Sequence, residues 1–208
     1  KGEFSIIVNA VKGKRVVPVT YKTKAVIIAT AGNQVLPLIE TLPNFVKKFF
    51  GMVKYTRTIN IYCIGKTKLF KNISAIWLPL QETPYFSAIF HNWHQRKYNE
   101  WAYFGLNVRE NMISKFKQGN RFDHKKIEKL IHNQFKGIKD IEINKIHYWK
   151  SALPVFYPGY LQKVYSFLRQ SNHERRIFYA GDYLENPSIE GAVTSGLKAA
   201  DRVLRSID

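Results

Sequence analysis

The sequence predicts an α/β fold with an α+β region in its middle. Residues 24–32 form an apolar run with the composition of a buried parallel strand. Residues 176–204 read as a short strand, a turn and a long helix. The chain has 208 residues, of which 45% are apolar and 14% aromatic. This is enough apolar material to bury a real core in one or two domains.

The N-terminal quarter reads as a hairpin, a buried strand and two short helices. Residues 4–8 and 15–21 alternate like strands, with Lys-Gly-Lys at 12–14 as their turn. The parallel strand that follows ends in Ala-Thr-Ala-Gly. Residues 33–42 predict a short helix interrupted by Pro37, and residues 43–51 predict a helix that ends at Gly51.

The middle of the chain predicts a mostly antiparallel sheet of four or five strands with one helix. Asp123 is the predicted N-cap of a helix over 125–135, with Phe122 and Ile127 placed for a hydrophobic staple. The strand-like segments are 57–64, 73–77, 86–93, 101–108 and 141–148. A further helix over 158–169 is predicted to turn Leu161, Val164, Tyr165 and Leu168 inward.

The C-terminal stretch contains the most informative residues. The strand over 177–180 stops at Gly181-Asp182, and Asn186 or Ser188 is the predicted N-cap of the last helix, with Pro187 in its first turn. A helix N-terminus after a strand is a ready site for negative charge. The residues at helical spacing are Ile189, Ala192, Val193, Gly196, Leu197, Ala200, Val203, Leu204 and Ile207. The small residues at 191, 192, 195, 196, 199 and 200 would let this helix lie close to a sheet or let its backbone reach a ligand.

The charge and the single cysteine restrict the partners and the compartment. The net charge is +18, with a modest concentration of basic residues from 115 to 150. Composition alone accounts for it; an anionic membrane surface or an acidic partner is the next explanation, and nucleic acid is disfavoured because the basic residues are scattered. Cys63 stands alone, which excludes an intrachain disulfide and favours a reducing compartment such as the cytoplasm, or its membrane periphery.

The last stretch resembles the C-terminal flavin-binding signature of one enzyme superfamily. That signature is aromatic-Ala-Gly-Asp, a variable loop, then Glu-Gly-Ala-x-x-Ser-Gly-x-x-Ala-Ala, and residues 179–182 and 190–200 fill every position. The superfamily comprises the FAD-dependent amine oxidases, protoporphyrinogen oxidases and carotenoid (phytoene) desaturases. The Ala-Thr-Ala-Gly strand end and the segment 149–159, with its Ala-Leu-Pro and Pro-Gly, also resemble it.

The resemblance implies a fold and a division of the chain. The chain looks like the C-terminal half of a two-domain FAD-dependent oxidoreductase of glutathione-reductase-like type. Residues 1–35 and 173–208 would belong to the FAD-binding domain, and residues 36–172 to the substrate-binding domain. A dinucleotide fold needs a Gly-x-Gly-x-x-Gly turn, which is missing here. An N-terminal FAD-domain half, from a separate chain or a removed segment, would therefore complete the site.

The resemblance also implies the site residues. Asp182 would accept hydrogen bonds from the ribityl hydroxyls, Gly181 would let the backbone approach the phosphates, and the helix N-terminus would face the flavin N1/O2 edge. Trp149 and Tyr157 are the candidates on the substrate side. The implied cofactor-binding residues are Gly181, Asp182, Ser188, Ile189, Glu190, Gly191, Ala192, Ala29, Thr30 and Ala31.

Two departures from the amine oxidases narrow the expected chemistry. Ser188 stands where those enzymes carry a cage tyrosine, and no cysteine lies near the signature, so a noncovalent FAD is expected. The implied reaction is hydride transfer from an organic substrate, large and apolar by the desaturase and porphyrinogen branches, to flavin N5. A structural or assembly subunit that kept the fold and lost FAD is the alternative. No metal is expected, because His91 and His94 face opposite ways on a strand.

Overall fold

The computed structural model describes residues 3–12, 15–66, 73–91, 101–119, 121–171 and 176–207. Its strands are β1 (Phe4–Lys12), β2 (Arg15–Thr23), β3 (Val26–Ile28), β4 (Thr58–Lys66), β5 (Ala75–Trp77), β6 (Phe86–His91), β7 (Trp101–Val108), β8 (Lys117–Gln118), β9 (Arg121–Phe122), β10 (Lys139–Trp149) and β11 (Ile177–Tyr179). Its α-helices are α1 (Asn44–Met52), α2 (His124–Gln134), α3 (Tyr160–Ser171) and α4 (Ile189–Ile207).

The chain forms two compact units. Unit 1 comprises Lys1–Tyr55 and Leu153–Asp208, and unit 2 is Thr56–Ala152. The boundaries of these units differ from those of the predicted segments, which were 1–35, 36–172 and 173–208. Helices α1 and α3, which the sequence assigned to the middle segment, lie in unit 1. The reason is side-chain packing: Phe50 of α1 and Phe167 of α3 pack their rings against Tyr179 of β11, with centroids 4.9 and 5.4 Å apart.

A short sheet in unit 1 confirms the predicted parallel strand, although within β3 only Ile28 is buried and Ile27 is 40% exposed. Strands β3 and β11 pair in parallel, with Ile28 opposite Tyr179. The Ala180 N–H donates to the Ile28 carbonyl at 2.9 Å and extends the pairing by one residue. The predicted hairpin is also confirmed, because β1 and β2 pair antiparallel over their whole length.

Helix α3 buries only part of the set of side chains that its sequence pattern predicted. Tyr165 is 71% exposed and Leu161 is 48% exposed, so the prediction of an inward position was wrong for both. Val164 is buried as predicted and Leu168 is half-buried, while Tyr160 and Phe167 are buried in place of the other two. Their aromatic rings pack against α1, and the Tyr160 hydroxyl donates to the Tyr183 carbonyl at 3.0 Å. Both alternatives have helical spacing, and the aromatic partners on α1 decided between them.

Unit 2 contains a five-stranded antiparallel sheet in the order β10-β4-β7-β6-β5, and a separate two-stranded sheet of β8 and β9. Along β4 and β7, buried residues alternate with half-buried ones, as expected of a strand with one packed face. Helix α2 packs Ile127 and Ile131 into the core of that face. Asp123 caps α2 as predicted, since its Oδ1 accepts the Lys126 N–H at 3.1 Å.

Smaller predictions about helix ends need correction. The segment 33–42 contains two 3-10 turns, at Gly32–Gln34 and Leu36–Leu38, in place of an α-helix, because Pro37 cannot donate a helical hydrogen bond. Helix α1 continues past Gly51 to Met52. Within the described part of the chain, no helix is long and apolar enough to cross a membrane.

Candidate functional site

The carboxyl ends of β3 and β11 bring two predicted segments to one sheet edge. Parallel strands that pair side by side end at the same edge, which is where α/β folds bind ligands. Ala29 and Thr30 follow β3 and are exposed, and Ala31 is half-buried. Gly181 and Asp182 follow β11, and both are half-buried. The predicted cofactor residues of these two segments therefore come together in unit 1.

The turn after β11 is fixed by its own side chains and by α4. The Gly181 N–H donates to the Ser195 hydroxyl at 2.9 Å. The Tyr183 hydroxyl folds back and donates to the Ala180 carbonyl at 3.2 Å. A Cβ on Gly181 would lie 2.2 Å from Cε1 of Tyr183. The packing of the Tyr183 ring therefore requires glycine at 181, whether or not the backbone there also approaches a ligand.

Asp182 is partly desolvated and interacts electrostatically with the phenols of Tyr55, Tyr160 and Tyr183. Burial raises the pKa of its carboxyl, while the backbone N–H groups of Tyr183 and of Asp182 itself lower it. Tyr55 accepts the Gly32 N–H at 2.8 Å, and burial raises the pKa of Tyr55 to about 12. Burial also raises the pKa of Tyr160. These phenols stay neutral at physiological pH, so each can donate or accept a hydrogen bond.

Ser188 is the N-cap of α4, which confirms one of the two predicted caps. Its hydroxyl accepts the Gly191 N–H at 3.0 Å and donates to Oδ1 of Asn186, and its carbonyl accepts the Ala192 N–H at 3.1 Å. Helix geometry leaves the N–H groups of Ile189 and Glu190 without a partner inside the helix. Of the predicted N–H donors, these two remain for an anion, and Gly191 and Ala192 are already engaged.

The close packing predicted for the small residues of α4 is confirmed for part of that set. Gly191, Ser195 and Ala199 are buried, the last two at 3% exposure, whereas Ala192 and Ala200 are exposed. Pro187 precedes the helix and is not in its first turn. The large apolar residues point outward and form the α4 stripe: Ile189 at 86%, Val193 at 56%, Leu197 at 69% and Leu204 at 62% exposure. Small residues let α4 approach the Asp182–Leu184 turn closely, and this leaves the larger ones outside.

The two substrate-side candidates lie in different units. Trp149 ends β10 in unit 2, is 44% exposed, and its ring lies 4.1 Å from that of His147. Tyr157 is half-buried in unit 1, with the Lys163 ammonium 4.9 Å above its ring. Both side chains are accessible. Their contacts do not identify either one as a group that takes part in a reaction.

The remaining candidates do not form a site in the described residues. His91 ends β6, and His94 lies outside the described residues. No group of three or more His, Cys, Asp or Glu side chains in the described ranges could hold a metal ion. Cys63 is fully buried, and burial raises its pKa to about 12. Sequence reasoning missed Tyr55, since only the fold brings it to Gly32, and it treated Ser195 merely as a packing residue.

Comparison with known proteins gives the family. The family model of flavin-containing amine oxidoreductases matches residues 6–204. A search of curated proteins found no match. The similar solved structures include a CLA-producing fatty acid isomerase from P. acnes, at 12% identity and a TM-score of 0.61, covering 97% of this chain and 47% of that one.

Two further structures have the same fold. Cyclohexylamine oxidase from Brevibacterium oxydans IH-35A matches at 13% identity and a TM-score of 0.65, covering 94% of this chain and 45% of that chain. A reduced UDP-galactopyranose mutase matches at 14% identity and a TM-score of 0.65, with 91% and 44% covered. The chain thus spans less than half the length of these structures. It belongs to the family of flavin-containing amine oxidoreductases.

Proposed function

We propose that this chain is the C-terminal half of an FAD-dependent oxidoreductase. The observation that carries the proposal is the arrangement at the carboxyl edge of β3 and β11. There the Asp182 turn packs against α4, whose first turn has two uncommitted N–H groups at Ile189 and Glu190. The family match over residues 6–204 supports a flavin as the ligand of this edge.

The residues present fit a flavin on chemical grounds. The half-buried Asp182 carboxylate is a hydrogen-bond acceptor for ribityl hydroxyls, which would compensate its desolvation. The N–H groups of Ile189 and Glu190, at the positive end of α4, suit the negative charge that develops at the N1/O2 edge on reduction. When bound, the flavin supplies hydride acceptance at N5. In this proposal Gly181 and residues 29–31 line the cofactor with backbone.

Two residues support a noncovalent FAD and a substrate other than a simple amine. Ser188 is the cap of α4, so its side chain serves the helix and supplies no aromatic wall. Cys63 is buried in the sheet of unit 2, whereas Asp182 belongs to unit 1. The capping role of Ser188 supports a substrate other than a simple amine, and the burial of Cys63 supports a flavin that is not attached to it. An organic molecule of largely apolar character is the proposed substrate class.

We further propose that an N-terminal FAD-domain half covers the α4 stripe. A parallel sheet of two three-residue strands is too small to be stable without neighbouring strands. Within the described residues, this sheet consists of β3 and β11. Ile189, Val193 and Leu197 recur at four-residue spacing and expose a continuous apolar surface. The similar structures are about twice as long, which supports a missing domain half as the occupant.

A direct test is to isolate the chain together with whatever polypeptide naturally completes it. We expect a complex, or a longer protein, with a Gly-x-Gly-x-x-Gly segment and visible flavin absorption. Acid precipitation should release FAD into the supernatant, because the cofactor is not covalently attached. A fully occupied, colourless complex would reject the enzyme and support the structural subunit. Flavin that stays with the precipitate would reject noncovalent binding.

Substitution on the α4 stripe tests the docking surface separately. Leu197→Asp should leave the melting temperature of the isolated chain nearly unchanged, since the side chain is 69% exposed, and should abolish assembly with the N-terminal half. Tyr165→Asp, on an exposed position of α3 that is 71% accessible, is the matched control and should assemble normally. Normal assembly of the Leu197 variant would place the partner elsewhere.

A further inference from the structure

Tyr55 joins the turn after β3 to the segment that follows α1. Its hydroxyl oxygen accepts the Gly32 N–H at 2.8 Å. Gly32 is buried and begins the first 3-10 turn, directly after the predicted cofactor residues 29–31. The end of the β3 edge is therefore fixed by a side chain from outside its own segment.

Gly32 is also the point at which the turns after β3 and β11 pack on each other. A Cβ on Gly32 would lie 2.9 Å from Cγ1 of Val53 and 3.2 Å from Cγ of Tyr183. Tyr183 belongs to the same turn as Asp182. Tyr55 thus bonds to the one residue through which the β3 edge contacts the Asp182 turn most closely in this packing.

The backbone that carries Tyr55 is held by a second segment of unit 1. Tyr55 forms an antiparallel bridge with Pro154, and the Val155 N–H donates to the Lys54 carbonyl at 2.8 Å. The Tyr55 ring packs against the core of unit 1. A side chain whose backbone and ring are both fixed can restrain the turn to which it bonds.

The phenols of this region differ in what their hydroxyl protons do. Tyr160 donates to the Tyr183 carbonyl at 3.0 Å, and Tyr183 donates to the Ala180 carbonyl at 3.2 Å. No described residue accepts the proton of Tyr55, which interacts electrostatically with Asp182. The first two phenols thus serve the turn after β11, whereas Tyr55 serves the turn after β3.

We propose that Tyr55 is a positioning residue of the cofactor edge. It acts through Gly32 and holds the backbone of residues 29–31 at a fixed distance from the Asp182 turn, so that both contact one bound flavin. Loss of its hydroxyl leaves the buried Gly32 N–H without an acceptor and releases the turn after β3. The inference rests on the proposed function in identifying the ligand as a flavin.

Tyr55→Phe in the complete flavin-bound protein tests this role, because the ring stays and only the hydroxyl is lost. We expect the dissociation constant for FAD, measured by equilibrium dialysis, to rise about tenfold. The visible circular dichroism of the remaining bound flavin should change, since it depends on how the ring is held. Thr83→Val, the control, removes a hydroxyl that donates to the Pro79 carbonyl at 2.7 Å in unit 2. It should lower the melting temperature and leave both flavin readouts unchanged.

A double-mutant cycle with Asp182→Asn separates positioning from a general loss of stability. If Tyr55 sets the distance between the two turns, the double variant should bind FAD about as well as the weaker single variant, because either change alone already breaks the shared arrangement. Native FAD affinity in Tyr55→Phe, or losses that add in the double variant, would overturn the inference and leave the proposed function standing. A complete natural protein that holds no flavin would reject the proposed function, and this inference with it.

Discussion

The Gly181 N–H donates to the hydroxyl of Ser195 at 2.9 Å, and this bond ties the turn after β11 to the buried face of α4. Ser195 is 3% exposed. The bond places the Asp182 turn and the start of α4 on one rigid support. It also explains why the buried face of α4 is made of small residues, since a larger side chain at 195 would separate the two elements.

Loss of this bond should be measurable as lost stability. Ser195→Ala leaves the Gly181 N–H without its partner, and we expect a loss of about 1–3 kcal/mol in the free energy of unfolding by urea. Ser206→Ala removes a hydroxyl that bonds only to the preceding turn of α4, at Val203, and should cost distinctly less. Equal losses for the two variants would mean that the Gly181 bond adds nothing.

Two glycines of α4 should respond in opposite directions to alanine. A Cβ on Gly191 would lie 2.1 Å from the Asn186 carbonyl oxygen, so Gly191→Ala must displace backbone and should destabilise by about 1–3 kcal/mol. A Cβ on Gly196 meets nothing within 4 Å, and Gly196→Ala should stabilise the helix by about 0.5–1 kcal/mol. Thermal unfolding of both variants checks the pair, and a stabilised Gly191 variant would contradict the packing at the cap.

Ionisation of the Asp182 carboxyl should lower the free energy of unfolding as the pH rises. Its folded pKa is raised by burial above the ordinary aspartate value, so the folded state binds more protons than the unfolded state between those two pKa values. Stability therefore falls as the pH rises through that window and stays lower above it. Asp182→Asn should be more stable than the natural chain at neutral pH, and the difference should vanish below the ordinary aspartate pKa.

The control for that experiment is Asp201→Asn, at an exposed carboxylate that pairs with Arg205 at 2.9 Å. It should give little change, or a small loss, at neutral pH. Denaturant titrations over an acid-to-neutral pH series measure both variants. A lower stability of Asp182→Asn than of the natural chain at neutral pH would contradict the prediction. It would mean that interactions in the fold outweigh the desolvation of the Asp182 carboxylate.

Cys63 should be inert in the folded chain. Burial raises its pKa to about 12, so the thiolate that attacks a disulfide reagent is scarce at neutral pH. We expect the rate of modification to follow unfolding, with fast reaction in urea as the control. A native rate that increases through the ordinary thiol pKa would show that the side chain is accessible.

The prediction from sequence was best where a pattern depends on the chain's own neighbours. The bounds of β7 agree residue for residue, and the Asp123 cap of α2 was found, because strand alternation and capping are local properties. The turn at Gly181-Asp182 was also located from its residues alone. The Ser188 cap was one of two alternatives, and the hydroxyl that reaches the Gly191 N–H decided it.

Faces and pairings could not be predicted in this way. On α3 the spacing found Val164 but not Phe167, which packing buries in place of Tyr165. On α4 the small face with Ser195 was marked by its residues, but only packing left Leu197 exposed. The pairing of Asn60 with Asn107 joins residues far apart in the chain, and no local pattern marks it. The sequence by itself thus determined the elements and the family signature. The tertiary structure decided which side of each element is buried, because burial depends on partners that spacing does not specify.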